Sequence, residues 1–283
     1  MDYKVKQWRE LALRIRWGIV QSIEAKGGGH IGGCLDLAEL LAVLYSDFMR
    51  VRPDEPLWVD RDFLVCSKGH AGPALYAVLA LKGFFDVDLL QTLNQEGSSL
   101  PGHCDRLKVP GVDATSGSLG QGLSIASGLA LSSRLRGKGQ RVFCITGDGE
   151  SAEGQIWEAA QFAAHYNLDN LVAFLDKNNM QIDGATDRVM SLGDPVAKYR
   201  AFGWEACCID GSDAAAIAEA VTRAIDNPSG KPSMIVLDTV KGNNINCIAS
   251  LANNHCIAFP AQLAVQAKTE LADQAKQLGI TLP

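Results

Sequence analysis

Two short segments of this chain could hold a cation against a phosphate. Gly147-Asp148-Gly149 closes one apolar run and Asn178-Asn179 closes the next, with Asp148 and Asn178 30 residues apart. A carboxylate, an amide oxygen and a nearby backbone carbonyl are hard oxygen donors. Magnesium prefers such a set, completed by diphosphate oxygens. The glycine after Asp148 lets the backbone approach a phosphate, and the start of a following helix favours negative charge. Alone, Gly-Asp-Gly reads as a tight turn with the aspartate as helix cap. The spacing adds more: a βαβ unit returns the chain to the same sheet edge, so both side chains can face one point.

The chain has five histidines: His30, His70, His103, His165 and His255. The first three stand in glycine-containing segments, Gly29-His30-Ile31-Gly32-Gly33, Ser67-Lys68-Gly69-His70-Ala71-Gly72 and Pro101-Gly102-His103. A neutral imidazole can take a proton from a hydroxyl and later return it near physiological pH. His165 falls within a helical pattern and reads as structural.

These residues need a scaffold, and the hydrophobic pattern supplies one. Residues 4–25 carry Val5, Trp8, Leu11, Ile15, Ile19 and Ile23 at helical spacing. Asp36 is placed to cap a second helix, with Leu37, Leu40, Leu41 and Leu44 on one face. Residues 63–66 read as a strand entering the 67–70 loop, and Pro73 opens a helix that ends near Gly83. Further on, strands at 142–145, 171–175, 205–209 and 234–237 alternate with helices at 155–166, 194–202 and 213–226, and a helix at 261–277 closes the chain. This alternation predicts a three-layer α/β/α architecture around a mostly parallel sheet, with ligands at the carboxyl ends of the strands. Residues 1–283 read as one domain, with 1–35 a helical lead-in and 260–283 a C-terminal helix.

At the Asp148 and Asn178 segments the chain resembles the thiamine-diphosphate enzymes. The run Gly147-Asp148-Gly149-Glu150-Ser151-Ala152-Glu153-Gly154, followed by Asp176-Lys177-Asn178-Asn179-Met180, is similar to their metal and diphosphate signature. That signature also fits the α subunits of 2-oxo-acid dehydrogenases. The three histidine segments resemble transketolases in particular, as does Gly117-Ser118-Leu119-Gly120-Gln121-Gly122, similar to their loop beside the thiamine pyrimidine. The likeness is colinear from about residue 10 to about residue 260.

The resemblance implies the diphosphate-domain fold of these enzymes, and thiamine diphosphate with Mg2+ (or Ca2+ or Mn2+ in its place). It implies transfer of a two-carbon ketol unit from a ketose to an aldose, free or phosphorylated. Asp148 and Asn178 would ligate the metal through side chains and Met180 through its carbonyl. Gly149 would offer its N–H to the diphosphate, and His70, Gly117, Leu119, Glu150, Asn178 and His255 would line the cofactor. His30 and His103 would contact substrate hydroxyls, and His255 would lie near thiazolium and substrate, completing the catalytic set. The flanks of that last histidine, Asn253-Asn254-His255-Cys256-Ile257, depart from the Trp-His-Gly type sequence common in split transketolases.

A full transketolase continues into a second α/β domain that supplies the activating glutamate. The likeness is therefore to the N-terminal section of a split transketolase. It implies a separate C-terminal-section transketolase subunit as partner, in a two-plus-two heterotetramer. Glu153 and Glu158 would sit at the self-contact of this chain, with Ile156, Ala159, Ala160 and Ala163 offering small apolar surface. The alternatives are a deoxyxylulose-phosphate-synthase-like subunit, a dehydrogenase-like one, or a non-catalytic one that only binds cofactor.

A net charge of -6 gives no basic face for nucleic acid. No apolar run approaches the roughly 20 residues that span a bilayer. Residues 1–10 are charged and lack the apolar stretch of a secretory signal, so the expected compartment is the cytoplasm. The eight cysteines include no CxxC pair and read as reduced, mostly buried thiols.

Overall fold

A computed structural model describes residues 2–282. Five parallel strands form the central sheet: β1 (Phe63–Cys66), β2 (Val142–Gly147), β3 (Leu171–Lys177), β4 (Glu205–Asp210) and β5 (Ser233–Asp238). Their spatial order is β1-β2-β3-β5-β4. Both faces of the sheet are covered, so the strands read as continuous apolar runs although their side chains still alternate. Phe143 and Ile145 of β2, with Val172 and Phe174 of β3, enter one core. Val142, Cys144, Leu171, Ala173 and Leu175 enter the other.

The helices that cover these faces are α1 (Asp2–Lys26), α2 (Ala38–Val43), α3 (Gly72–Leu81), α4 (Gln121–Leu135), α5 (Gly154–His165), α6 (Pro195–Ala201), α7 (Ala214–Ile225) and α8 (Ala261–Leu278). Helices α1, α2, α3, α7 and α8 pack on the first core, and α4, α5 and α6 on the second. Each fully buried large apolar side chain contributes about 1.5–3 kcal/mol. That burial fixes the strand ends from which the glycine-rich loops depart. Among the described residues no helix is long and apolar enough to cross a membrane.

Three sequence expectations are corrected. Asp36 does not cap α2: the residue before that helix is Leu37, with no side-chain cap. The Asp36 carboxylate instead accepts from the backbone N–H groups of Gly242 (2.8 Å) and Asn243 (3.3 Å). A buried carboxylate needs several donors, and that turn supplies two. Ile156, Ala159, Ala160 and Ala163 form the inward face of α5, packed in its own core. They are closed to a partner, whereas Glu153, Glu158, Phe162 and Tyr166 are exposed. All eight cysteines are free, but only Cys34, Cys66, Cys104 and Cys144 are buried, and Cys208 and Cys256 are exposed. His165 is exposed too, its ring 4.9 Å from that of Tyr166.

Helix α4 has no counterpart in the sequence reading. Gly122, Ser124, Ser127 and Gly128 interrupt its apolar period, and it is held by packing on α5 and β2 rather than by propensity. A two-residue hairpin, Met180–Gln181 with Gly184–Ala185, also lies beyond the predicted loop at the end of β3.

Candidate active site

The register of the sheet brings the two signature segments together. Gly147 lies beside Asp176 in the parallel pair β2–β3, so Asp148 and Asn178 emerge side by side at the carboxyl ends. Asp148 accepts from the N–H of Gly149 (2.7 Å) and Asn179 (2.6 Å), and from Thr186 Oγ1 (3.3 Å). Asn178 Nδ2 donates to Asp176 Oδ2 (2.9 Å) and Asp36 Oδ2 (3.1 Å). Its oxygen faces the other way and accepts from Met180 N–H at 3.1 Å. Burial, and then the charge of Asp176, push the Asp148 carboxyl above its usual range. A bound cation would reverse that pressure.

These residues open onto a cleft of about 350 Å3, within the range of small-ligand sites. Leu119, Gly149, Glu150, His70 and His255 share its wall. Among the described residues no group of three or more His, Cys, Asp or Glu forms a cation site. A cation at Asp148 would depend on the mixed set of carboxylate, amide and carbonyl oxygens, which suits magnesium. Gly149 also fits an anion: a Cβ there would stand 2.9 Å from Gln181 Cβ. Gln181 Nε2 is buried in the same wall without a partner. An unpaired buried donor costs about 1–3 kcal/mol, a cost that a bound oxyanion would remove.

Two lysines complete the cleft, and the sequence reading passed over both. Buried Lys68 donates to Asp176 Oδ2 and to Gly33 O (2.9 Å). Burial works to lower its pKa, but Asp176 and Asp36 outweigh it and the ammonium is held charged. Lys241 donates to Met180 O (3.1 Å) and lies 3.0 Å from His255 Nδ1. The Met180 carbonyl is therefore already engaged by an ammonium whose third donor remains for the cleft. A lysine in Thr239-Val240-Lys241-Gly242 carries no local signal, because the fold alone brings it there.

Four imidazoles meet beside the cleft. His30 lies with ring centroids 5.3 Å from His70, 5.5 Å from His103 and 5.2 Å from His255, and His70 lies 5.0 Å from His255. Burial pushes His30 and His255 down to about 4 and His70 to about 2, with neighbouring lysines and imidazoles adding to it. Burial and Lys26 lower His103 as well. All four are thus held neutral near pH 7. The altered flanks do not remove His255 from the group. Asn254 is buried, donates to Lys241 O (2.8 Å) and Ile248 O (3.2 Å), and accepts from Gly32 N–H (3.0 Å), which anchors the turn.

Glu150 lies in the cleft wall and Gly117 lies outside it, beside His103. Gly117, at φ 137°, lies under the His103 ring, where a Cβ would come within 2.9 Å of Cδ2, and it does not line the cleft. Buried Glu150 touches the cleft wall, but its oxygens accept from Gly147 N–H (2.9 Å), Gly120 N–H (2.9 Å) and Ser67 Oγ. Ser67 Oγ in turn accepts from Gly122 N–H at 3.1 Å. One carboxylate therefore ties together the loops that carry Asp148, Leu119 and His70. Glu150→Gln would aim an NH2 group at a backbone N–H and lose an acceptor, at about 1–3 kcal/mol. Thermal unfolding should show a loss of about 2–4 °C for each kcal/mol. An unchanged midpoint would show that this carboxylate does not hold the loops.

The family profile described as "Transketolase, thiamine diphosphate binding domain" matches residues 8–280. The chain belongs to the transketolase family. A "6-deoxy-6-sulfo-D-fructose transketolase subunit SqwG" of Clostridium sp. (strain MSTE9) is 47% identical over 91% of this chain and 93% of its own length. One subunit of an apulose-4-phosphate transketolase, from Phocaeicola vulgatus, is 37% identical over 92% of each chain. The solved transketolase of Campylobacter jejuni matches with a TM-score of 0.86 at 28% identity, over 98% of this chain and 43% of that one. The chain thus spans less than half the length of that solved transketolase. Family, fold and the thiamine-diphosphate-binding character of the domain agree with the sequence reading.

Proposed function

We propose that this chain is the diphosphate-binding subunit of a split transketolase. With a C-terminal-section subunit it moves a two-carbon ketol unit from a ketose to an aldose. The observation that carries this reading is the group of four neutral imidazoles contiguous with the Asp148 cleft. A dehydrogenase-like or purely binding subunit gives no reason for two imidazoles in a substrate-side cleft, His30 and His103, packed against two more, His70 and His255, on the cofactor cleft. The subunit names of two relatives, matched over nearly their whole length, support a separate partner. The same names suggest a sugar with a phosphate or sulfonate substituent as substrate.

Asp148 and Asn178, with the Met180 carbonyl that also accepts from Lys241, would hold magnesium, which would neutralise the diphosphate. Gly149 N–H, Gln181 and Lys241 meet the diphosphate, and His70 and His255 stand beside it. When bound, thiamine diphosphate supplies the carbanion chemistry. His30 and His103 accept and return the protons of substrate hydroxyls. The partner chain closes the cleft and excludes water.

Two copies of this chain form the centre of a two-plus-two assembly, since a self-complementary patch is the simplest two-fold contact. The outward face of α5 offers one, with Glu158 beside the paired rings of Phe162 and Tyr166, 4.6 Å apart. Ketol transfer by the two chains mixed, and none by this chain alone, is the expected result. Sedimentation should give twice the mass of one pair. Transfer by the chain alone, with no partner detected by mass spectrometry, would refute the split reading, and a stable active one-plus-one species would refute the assembly.

A further inference from the structure

His30 and His103 face a separate cleft, of about 430 Å3, that shares no lining residue with the one around Asp148. Lys26, Asn94, Asp105 and Thr115 form part of its wall. Lys26 is the last residue of α1, and a lysine there suits the helix dipole. Its surroundings set it apart. It is exposed, and among the described residues no carboxylate lies within ion-pair distance of it. Glu24, on the same turn, is paired with Lys268. Asp105 accepts from Leu107 N–H (2.9 Å) and Thr115 Oγ1 (3.3 Å). The Lys26 ammonium folds back over the His30 loop, 4.0 Å from where a Cβ on Gly29 would lie. Burial is the main cause of the lowered basicity of both imidazoles, and the Lys26 charge adds to it. Asn94 adds a donor, because its oxygen takes the Gly102 N–H (3.3 Å) and leaves its NH2 group to the cleft.

A cation, an amide NH2 and two imidazoles around one open cleft suit a polyhydroxy chain that ends in an oxyanion. We propose that Lys26 recognises the anionic terminal group, a phosphate or a sulfonate, of the sugar whose hydroxyls meet His30 and His103. This rests on the ketol-transfer reading and adds a specificity determinant to it. The cleft lies on the substrate side and leaves the cofactor cleft to Lys68 and Lys241.

The test uses the assembled enzyme with D-fructose 6-phosphate, 6-deoxy-6-sulfo-D-fructose and D-fructose, comparing KM values and calorimetric affinities. A charge-assisted contact is about twice as strong as a neutral one, so Lys26→Ala should cut the preference for anionic over neutral sugar about tenfold. Lys26→Arg should restore most of it, and kcat should move less than KM. Loss confined to one of the two anionic sugars would identify the phosphate or the sulfonate as the group read. An equal loss for all three sugars, or an unchanged preference, would overturn the proposal. Calorimetry keeps the two claims apart. An assembly that transfers nothing from any donor fails as a transketolase, while its ratio of anionic to neutral binding still decides the role of Lys26.

Discussion

Asp148→Ala is expected to abolish magnesium-dependent binding of thiamine diphosphate by the assembled enzyme. Asp148 is the one carboxylate of the proposed ligand set, and no neighbour can take its place. Asp176 is engaged by Lys68, Thr239 and Asn178, and Glu150 by Ser67 and two backbone N–H groups. Removing even an outer-shell partner of a metal ligand weakens affinity about 10–100-fold, so losing a first ligand should cost at least about 100-fold. The same carboxylate accepts from Asn179 N–H and Thr186 Oγ1, so alanine also loosens the turn after β3. Asp148→Asn separates the two effects, because it preserves shape and one acceptor while removing the charge. Calorimetric titration of the cofactor with and without magnesium is the measurement. Either variant binding with unchanged magnesium dependence would remove Asp148 from the metal site.

The contrast between Asp148 and Asp36 shows what the sequence could tell. Asp148 follows a strand and stands one βαβ unit from Asn178, so local pattern and topology together place it. Asp36 stands before an apolar run, where capping is the ordinary expectation. Only the tertiary fold brings the Gly242–Asn243 N–H groups and the Asn178 amide to it, from some 200 and 140 residues away. The roles of Lys68 and Lys241 are illegible for the same reason, since each buried lysine is defined by distant partners, Asp176 for Lys68 and the Met180 carbonyl and His255 for Lys241. Strands were legible because their burial writes continuous apolar runs. Helix α4 was not, because glycine and serine break its period where its first turn packs against Ser67, whose Oγ accepts from Gly122 N–H. The outward face of α5 was misassigned because small apolar residues suit a chain's own core as well as a partner. The histidines were found as types in loops, but their meeting within about 5.5 Å is a property of the fold.

His30→Ala and His103→Ala are expected to lower turnover about 10²–10⁴-fold, the usual contribution of a general acid–base, with cofactor affinity nearly intact. Both rings line the substrate-side cleft, whereas His70 and His255 line the one around Asp148. Equal losses of cofactor affinity and turnover would instead assign these rings to the cofactor. The pH dependence gives a second reading. Burial holds His30 at about 4 in the folded chain, below the ordinary value of about 6.5. The unfolded chain therefore binds the proton first as pH falls. The stability contributed by this group is fully present above about 6.5, declines below it, and levels off once pH passes below about 4. Turnover that depends on a neutral His30 should likewise persist as pH falls from 8 to 5, with no inflection near 6.5. A kcat–pH profile that breaks near 6.5 in the wild type, and loses that break in His30→Ala, would show that the imidazole titrates as an exposed one and that the cleft does not shield it.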